Sequence, residues 1–478
     1  MTAFTLRAYQ EKSIRDLRAV FLQGVRRVVL QAPTGSGKTV LTAHMMRTAH
    51  RKGQTSWFVV HRKELLEQTS KALWQMDVPH GMIAAGRSLT SDAIQVASIQ
   101  TLVRRLDHLQ PPNMVIIDEA HHATANTYRK VVDFCNDSWI IGLTATPSRT
   151  DGTGLSDIFH ALVRGPELAT LIAEGYLAPF RIYSPPSPLD MTGVHIRAGD
   201  YAKDELAEIV DQSVITGNAV EHYRRCVAPR TCLIYCVSRL HARHVEEAYR
   251  SSGLDALYVA GDTPKAERDA AISGFRKGKP RIIVSVDLFG EGLDVPGLGA
   301  VQLLRPTQSL GLHLQQVGRV LRYEEGKEAV ILDHVGNTWR HGFPDDIRSW
   351  TLEGQKRKKN DEAAINLRSC PECFAIYPAH LRACPLCGCE AVGVGRKNPE
   401  EVAGTLEEMD REKIREQKAK RIEQGTTREL EGLVALAIER GHKIPWAGIV
   451  YSKRKYATLS ENQAIKEAWR IFRGMQSA

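Results

Sequence analysis

No apolar run in this 478-residue chain approaches the ~18 residues that a bilayer span needs. The N-terminal stretch MTAFTLRAYQ also lacks the apolar centre of a secretory leader. The expectation is a cytoplasmic chain without membrane contact. Aromatic residues are sparse at 6%. Cys135, Cys226, Cys232 and Cys236 are scattered and mostly lie in apolar stretches, where thiols behave as small hydrophobes rather than as metal ligands. No nuclease-like cluster of metal-binding residues stands out. Acidic residues are outnumbered, 55 against 64 Lys and Arg, giving a net charge of +9 that permits a polyanionic partner without requiring one. A length of 478 residues sets a prior of about two to four domains.

The stretch around which the rest is organised is Val28-Val29-Leu30-Gln31 followed by Ala32-Pro33-Thr34-Gly35-Ser36-Gly37-Lys38-Thr39. It reads as strand, phosphate loop, helix. In the loop Pro33 to Gly37 the glycines let backbone N–H groups converge on phosphate oxygens, and the helix start adds its positive dipole end. Lys38 reaches the β/γ-phosphates of ATP, and the Thr39 hydroxyl ligates Mg²⁺. Ala32 stands where the general pattern begins with Gly. Upstream, Leu6-Arg7-Ala8-Tyr9-Gln10 opens a helix. An amide such as that of Gln10 matches the N6 donor and N7 acceptor of adenine, although an ordinary helix-start Gln is the plainer reading.

Met114-Val115-Ile116-Ile117 runs into Asp118-Glu119-Ala120-His121. A carboxylate at the C-terminal end of a parallel strand sits where α/β sheets place ligands. Asp118 is suited to hold Mg²⁺, Glu119 to orient and deprotonate the attacking water, and His121 to relay toward the next strand, which ends in Thr144-Ala145-Thr146-Pro147. His61-Arg62-Lys63, at another strand-to-helix junction, suits a sugar–phosphate backbone or a solvated basic turn about equally.

On APTGSGKT, HRKELLEQ, DEAH and TATP the chain resembles a superfamily 2 helicase of the DEAH type. The resemblance continues through DLFGEGLDVP and QQVGRVLR and covers roughly Leu6 to Asp333. It makes Gln10 an adenine reader and puts Gly292 and Asp294 at a domain cleft, Asp294 near the ribose. Arg319 and Arg322, three apart, are expected on one helical face as arginine fingers. Gln316 replaces the Arg usual in the family. The implied activity is ATP-driven movement on nucleic acid, DNA favoured, along a single-stranded track. An ATPase that remodels protein–DNA complexes without unwinding, or an RNA helicase, fits the same motifs.

The expected fold is α/β: two RecA-like parallel-sheet domains, a small zinc ribbon and an α-helical C-terminal segment. The expected boundaries are 1–178 for the ATP-binding domain, 179–229 for a connector and helical segment, 230–350 for the second RecA-like domain, 366–392 for the ribbon and 400–478 for the tail. In the ribbon, Cys370, Cys373, Cys384 and Cys387 form paired CxxC knuckles suited to one Zn²⁺, with Cys389 and His380 as substitute ligands and a disulfide pair as the alternative. The tail's Trp446, Tyr451 and Tyr456 lie among Lys453, Arg454 and Lys455, a pattern that suits either base stacking or an inward-packed helical core. Motor, ribbon and tail together resemble the RadD-like branch of bacterial and phage proteins, which implies DNA repair or recombination and a single-stranded DNA-binding protein as partner.

Overall fold

The computed structural model describes residues 5–123, 125–149, 152–185, 191, 194–197, 199–202, 205–206, 210, 213–286, 288–289, 297–353, 367–369, 376–378, 407–408, 429–439, 443–452 and 459–477. Two seven-stranded sheets dominate it.

The first sheet contains β1 (Arg27–Gln31), β2 (Ser56–Val60), β3 (Gly81–Ile83), β4 (Ile94–Ser98), β5 (Met114–Asp118), β6 (Trp139–Thr144) and β7 (Ala161–Arg164). Their spatial order is β3-β4-β2-β5-β6-β1-β7, and every pairing is parallel. Such strands are covered on both faces, which is why they read as continuous apolar runs. Along β1, Val28 and Leu30 join a core with Ile14, Leu17 and Met46, while Val29 joins Ile117, Ile140 and Phe159 on the other face. Cys135 lies in that second core, and burial pushes its thiol up to about 12, an inert apolar thiol as the sequence indicates.

The second sheet contains β8 (Phe180–Ser184), β11 (Cys232–Tyr235), β12 (Ala256–Val259), β13 (Ile282–Ser285), β14 (Ala300–Leu303), β15 (Ala329–Asp333) and β18 (Glu407–Glu408). The order is β12-β13-β11-β14-β15-β8-β18, parallel except for β18. Two boundary readings change here. Phe180–Ser184 is not connector but a strand of this sheet, with Ile182 and Ser184 turned inward; the Pro- and Ser-rich run that follows hides it in the sequence. Glu407–Glu408, assigned to the tail from the sequence, pairs with β8 at the sheet edge. Cys232 and Cys236 pack in the core of this lobe with Val245 and Tyr249. A short antiparallel hairpin, β9 (Ile196–Arg197) and β10 (Asp200–Tyr201), belongs to neither large sheet.

The two sheets belong to one compact unit. The chain crosses from the first to the second at Leu177, whose backbone pairs with Arg322. It returns at residues 350–352: Arg164 donates to Trp350 O at 2.9 Å, and Leu155 N donates to Leu352 O at 2.7 Å.

The second unit holds a separate helical core. Helices Leu430–Glu439, Pro445–Ser452 and Glu461–Ser477 close around Leu433, Val434, Ala447 and Trp446, the last 2% exposed. Trp446 therefore packs inward, which selects the helical-core alternative for this residue; residues 453–458 lie outside the described set. Another hairpin pairs β16 (Leu367–Ser369) with β17 (Ile376–Pro378). Among the described residues no helix is long and apolar enough to cross a membrane.

Candidate active site

The phosphate loop leaves β1 and ends at Gly37, whose φ of +78° starts the helix Lys38–His50. That left-handed conformation favours glycine, and the space is also closed: a Cβ on Gly37 would lie 2.7 Å from Gln10 Nε2. Gln10 itself is buried. Its Oε1 accepts from Arg7 N at 3.0 Å and closes the N-terminal turn of the helix Ala8–Leu22. Its Nε2 donates to Ser36 O at 3.2 Å and Gly37 O at 3.4 Å. The amide thus ties the first helix to the phosphate loop, and reading adenine with it requires an exchange of partners. Tyr9 assists through a hydroxyl that donates to Ser36 O at 2.9 Å. Tyr176, which the sequence did not single out, stands edge-on to Tyr9 at 5.2 Å with the Arg7 guanidinium 4.6 Å over its ring.

Lys38, Glu119 and His121 converge. Lys38 Nζ lies 3.5 Å from Glu119 Oε1, and His121 Nδ1 lies 3.4 Å from Glu119 Oε2. His121 Nδ1 is also 3.2 Å from Thr144 Oγ1, and the same Thr144 hydroxyl accepts from Thr146 N at 3.1 Å. These contacts link His121 to the end of β6. Glu119 sits at φ +48°, a left-handed backbone that a non-glycine residue adopts at a cost of about 1–3 kcal/mol. The strain arises where β5 ends and the carboxylate is turned back toward Lys38.

Asp118 is the last residue of β5. Burial first, and the adjacent Glu119 carboxylate second, lift its carboxyl to about 6, with Lys38 pulling the other way. A carboxylate held at that cost is one whose ionised form a divalent cation would stabilise, so the residue fits Mg²⁺. Thr39 follows Lys38 with its side chain exposed, as a second oxygen ligand requires.

Across from the phosphate loop, the helix Leu310–Gly318 of the second lobe ends against it. A Cβ on Gly318 would lie 2.6 Å from Thr34 Cβ. Arg319 follows directly as the helix C-cap, which places it beside the loop. The expectation that Arg319 and Arg322 share one helical face is overturned. The helix stops before Arg319: residues 319–321 form a turn and Arg322 enters an isolated bridge with Leu177, while Ala178 N donates to Leu321 O at 2.8 Å. Burial lowers the pKa of the Arg322 guanidinium, and Lys327 Nζ donates to its carbonyl at 3.0 Å. Gly292 and Asp294, like Cys370, Cys373, Cys384 and Cys387, lie outside the described residues.

Residues 3–149 match the family model for the type III restriction enzyme res subunit, and residues 219–324 match the helicase conserved C-terminal domain. A 51.5 kDa protein of Lactococcus phage (isolate 7-9) is 32% identical over 81% of this chain and 83% of its own length. The chain belongs to the superfamily 2 helicases. A protein described as the ATP-dependent helicase IRC3 of Saccharomyces cerevisiae is 29% identical over 70% of this chain, which spans only 52% of that relative's length. A fragment described as the HsdR subunit of a type I restriction enzyme from Vibrio vulnificus YJ016 shares the fold, with a TM-score of 0.56 at 23% identity over 71% of this chain and 66% of its own. As a superfamily 2 helicase the chain is an ATP-hydrolysing enzyme, and the two lobes are its RecA-like domains.

Proposed function

We propose that this protein is a DNA translocase of the DEAH type, moving along one strand by ATP-driven opening and closing of its two lobes. The observation that supports the reading is the close approach of Gly318 to Thr34, an arrangement in which a nucleotide on the phosphate loop would have Lys38, Asp118 and Glu119 on one side and Arg319 on the other. Lys38 releases Glu119 to take the β/γ-phosphates. Glu119 then accepts the proton of the attacking water, and His121 passes the change to Thr144 and Thr146. Thr39 and Asp118 would hold Mg²⁺, which neutralises phosphate charge when bound. Arg319 supplies cationic charge to the phosphoryl group in flight, and Gly292 and Asp294 complete the ribose side of the cleft.

DNA is favoured over RNA by the restriction-enzyme kinship of the first lobe, while the net charge of +9 suits either polyanion. His61 and Arg62 at the end of β2, with Gln100 donating to His61 O at 2.8 Å, supply a polar rim suited to a sugar–phosphate backbone. The β16–β17 hairpin brackets Cys370 and Cys373 in sequence, as a zinc knuckle requires, and supports a Zn²⁺ ribbon completed by Cys384 and Cys387. The ribbon and helical bundle fit the RadD-like branch, and with it a role in DNA repair alongside a single-stranded DNA-binding protein.

The test is steady-state ATP turnover with no polymer, single-stranded DNA, duplex or forked DNA, and RNA. Strong stimulation by single-stranded DNA is expected. High turnover indifferent to every polymer would replace this reading with an ATPase that acts on protein complexes.

A further inference from the structure

Asp200 lies on the β9–β10 hairpin, outside both sheets, yet its carboxylate is only 15% exposed. It accepts four hydrogen bonds. Gln308 N at 2.7 Å and Tyr201 N at 2.9 Å reach Oδ1; Thr307 Oγ1 at 2.9 Å and Arg305 Nη2 at 3.3 Å reach Oδ2. The neighbouring Tyr201 hydroxyl accepts from Gln308 Nε2 at 2.7 Å, and Arg340 lies over its ring at 5.4 Å.

The loop held in this way, residues 305–309, joins β14 to the helix Leu310–Gly318. The Thr307 hydroxyl donates to Asp200 and accepts from Ser309 N at 2.9 Å, and the Ser309 hydroxyl accepts from Leu312 N at 3.2 Å as the helix cap. A relay therefore runs from Asp200 through Thr307 and Ser309 into the first turn. That turn lies on the first lobe: a Cβ on Gly311 would sit 2.9 Å from Thr146 Oγ1. The other end of the helix presents Arg319 at the phosphate loop. Asn337 and His341 also hold the Thr307 backbone, at 3.0 Å on its N and 2.9 Å on its O, so the Asp200 carboxylate adds to a loop that is anchored at its backbone.

We propose that Asp200 is a positioning residue for ATP hydrolysis, fixing through Thr307 and Ser309 the start of the helix that delivers Arg319 to the nucleotide. The proposal rests on the reading of Arg319 as the cation of the transition state. A rigid nine-residue helix transmits a displacement of its first turn to its last, and a misplacement near 1 Å at a reacting centre costs about a hundredfold in rate.

The experiment uses the full chain with ATP and its stimulating polynucleotide, and compares Asp200→Ala, Asp200→Asn, Arg319→Ala and the double variant Asp200→Ala/Arg319→Ala. Asp200→Ala is expected to lower kcat by about tenfold or more, with KM and the affinity for a fluorescent ATP analogue within about twofold. Asp200→Asn, which keeps the acceptor for Gln308 N, is expected to fall between it and the parent. The double variant is expected to be no slower than Arg319→Ala alone, within about twofold, because Asp200 acts through that arginine. Normal kcat in Asp200→Ala, or losses that multiply in the double variant, would overturn the proposal while leaving Arg319 in its role. Normal kcat in Arg319→Ala would overturn the Arg319 reading and this one with it. Should Asp200→Ala not fold, Thr307→Val breaks the same relay and replaces it in each comparison.

Discussion

Gly318 and Thr34 come from opposite lobes and meet so closely that glycine is the only residue the contact admits: a Cβ on Gly318 would stand 2.6 Å from Thr34 Cβ and 2.8 Å from its Cγ2. The phosphate loop thus serves as both nucleotide cradle and docking surface for the helix that carries Arg319. The closed arrangement sets catalytic geometry through backbone proximity.

That contact predicts the effect of one methyl group. Gly318→Ala forces the lobes apart at the phosphate loop, an overpacking that costs about 1–3 kcal/mol, or roughly a tenfold loss of kcat at its lower middle. The affinity of the first lobe for nucleotide stays near normal, because Lys38 and Gln10 are untouched. Thr34→Gly in the same chain makes room and restores turnover in part. An unimpaired Gly318→Ala enzyme would show that closure does not pass through this contact.

Lys38 and Glu119 face each other at 3.5 Å, each 16% or less exposed, so each is partnered before ATP arrives. Lys38→Ala removes the cation that binds the phosphates. Glu119→Gln removes the base while keeping its size. Each is expected to lower polynucleotide-stimulated turnover by at least about a hundredfold. Only Glu119→Gln should still bind ATP, its dissociation constant within about threefold of the parent's. Near-normal hydrolysis by either variant would dissolve the assignment.

These two residues were legible from sequence because the chemistry is local. A strand, a small-residue turn and a Lys-Thr pair specify a phosphate loop without reference to the rest of the chain, and Asp118–Glu119 close a strand in the same way. What could not be read depends on distant pairing. Arg322 has the spacing of a helical partner to Arg319, but Leu177 pairs with Arg322, Ala178 N takes the Leu321 carbonyl, and the helix ends one residue before Arg319. Phe180–Ser184 looks like the start of a proline-rich connector until β15 is placed beside it. Asp200 carried no signal in sequence, since its four donors come from its own hairpin and from residues 305–308. Trp446 shows the opposite ambiguity: aromatics beside basic residues describe both a stacking surface and a small core, and only burial separates them.

The cysteine pairs predict a metal. A segment as short as 366–392 has too little apolar surface to order itself, so Zn²⁺ is expected at one per chain in protein purified without chelator. Cys370→Ser and Cys384→Ser are each expected to lose it, while ATP turnover without polynucleotide stays within about twofold because the phosphate loop and both sheets are built from other segments of the chain. Metal analysis showing less than a tenth of an equivalent in the parent, by about that margin, would remove the ribbon from the proposal.

His334 makes stability depend on pH with a sign that its neighbours fix. Its Nε2 lies 2.8 Å from Gln302 Nε2, and that amide cannot turn over, because the same NH₂ group donates to Ala219 O at 2.9 Å while Oε1 receives the Tyr249 hydroxyl at 2.6 Å. The imidazole must therefore accept, which only the neutral ring does. Burial, with His222 beside it, depresses its pKa to about 3. In the unfolded chain the same group takes up a proton below about 6.5, so between that pH and about 3 the unfolded state holds one more proton than the folded state. Stability is fully present above about pH 6.5 and falls by about 1.4 kcal/mol per unit as the pH drops below it. His334→Gln cannot take up that proton in either state. The variant is expected to be less stable than the parent at pH 7.5, and the gap should shrink by about 1.4 kcal/mol at pH 5.5 in denaturant titrations. A gap that stays constant across that range would mean that His334 is protonated in the folded protein and that Gln302 has turned to receive it.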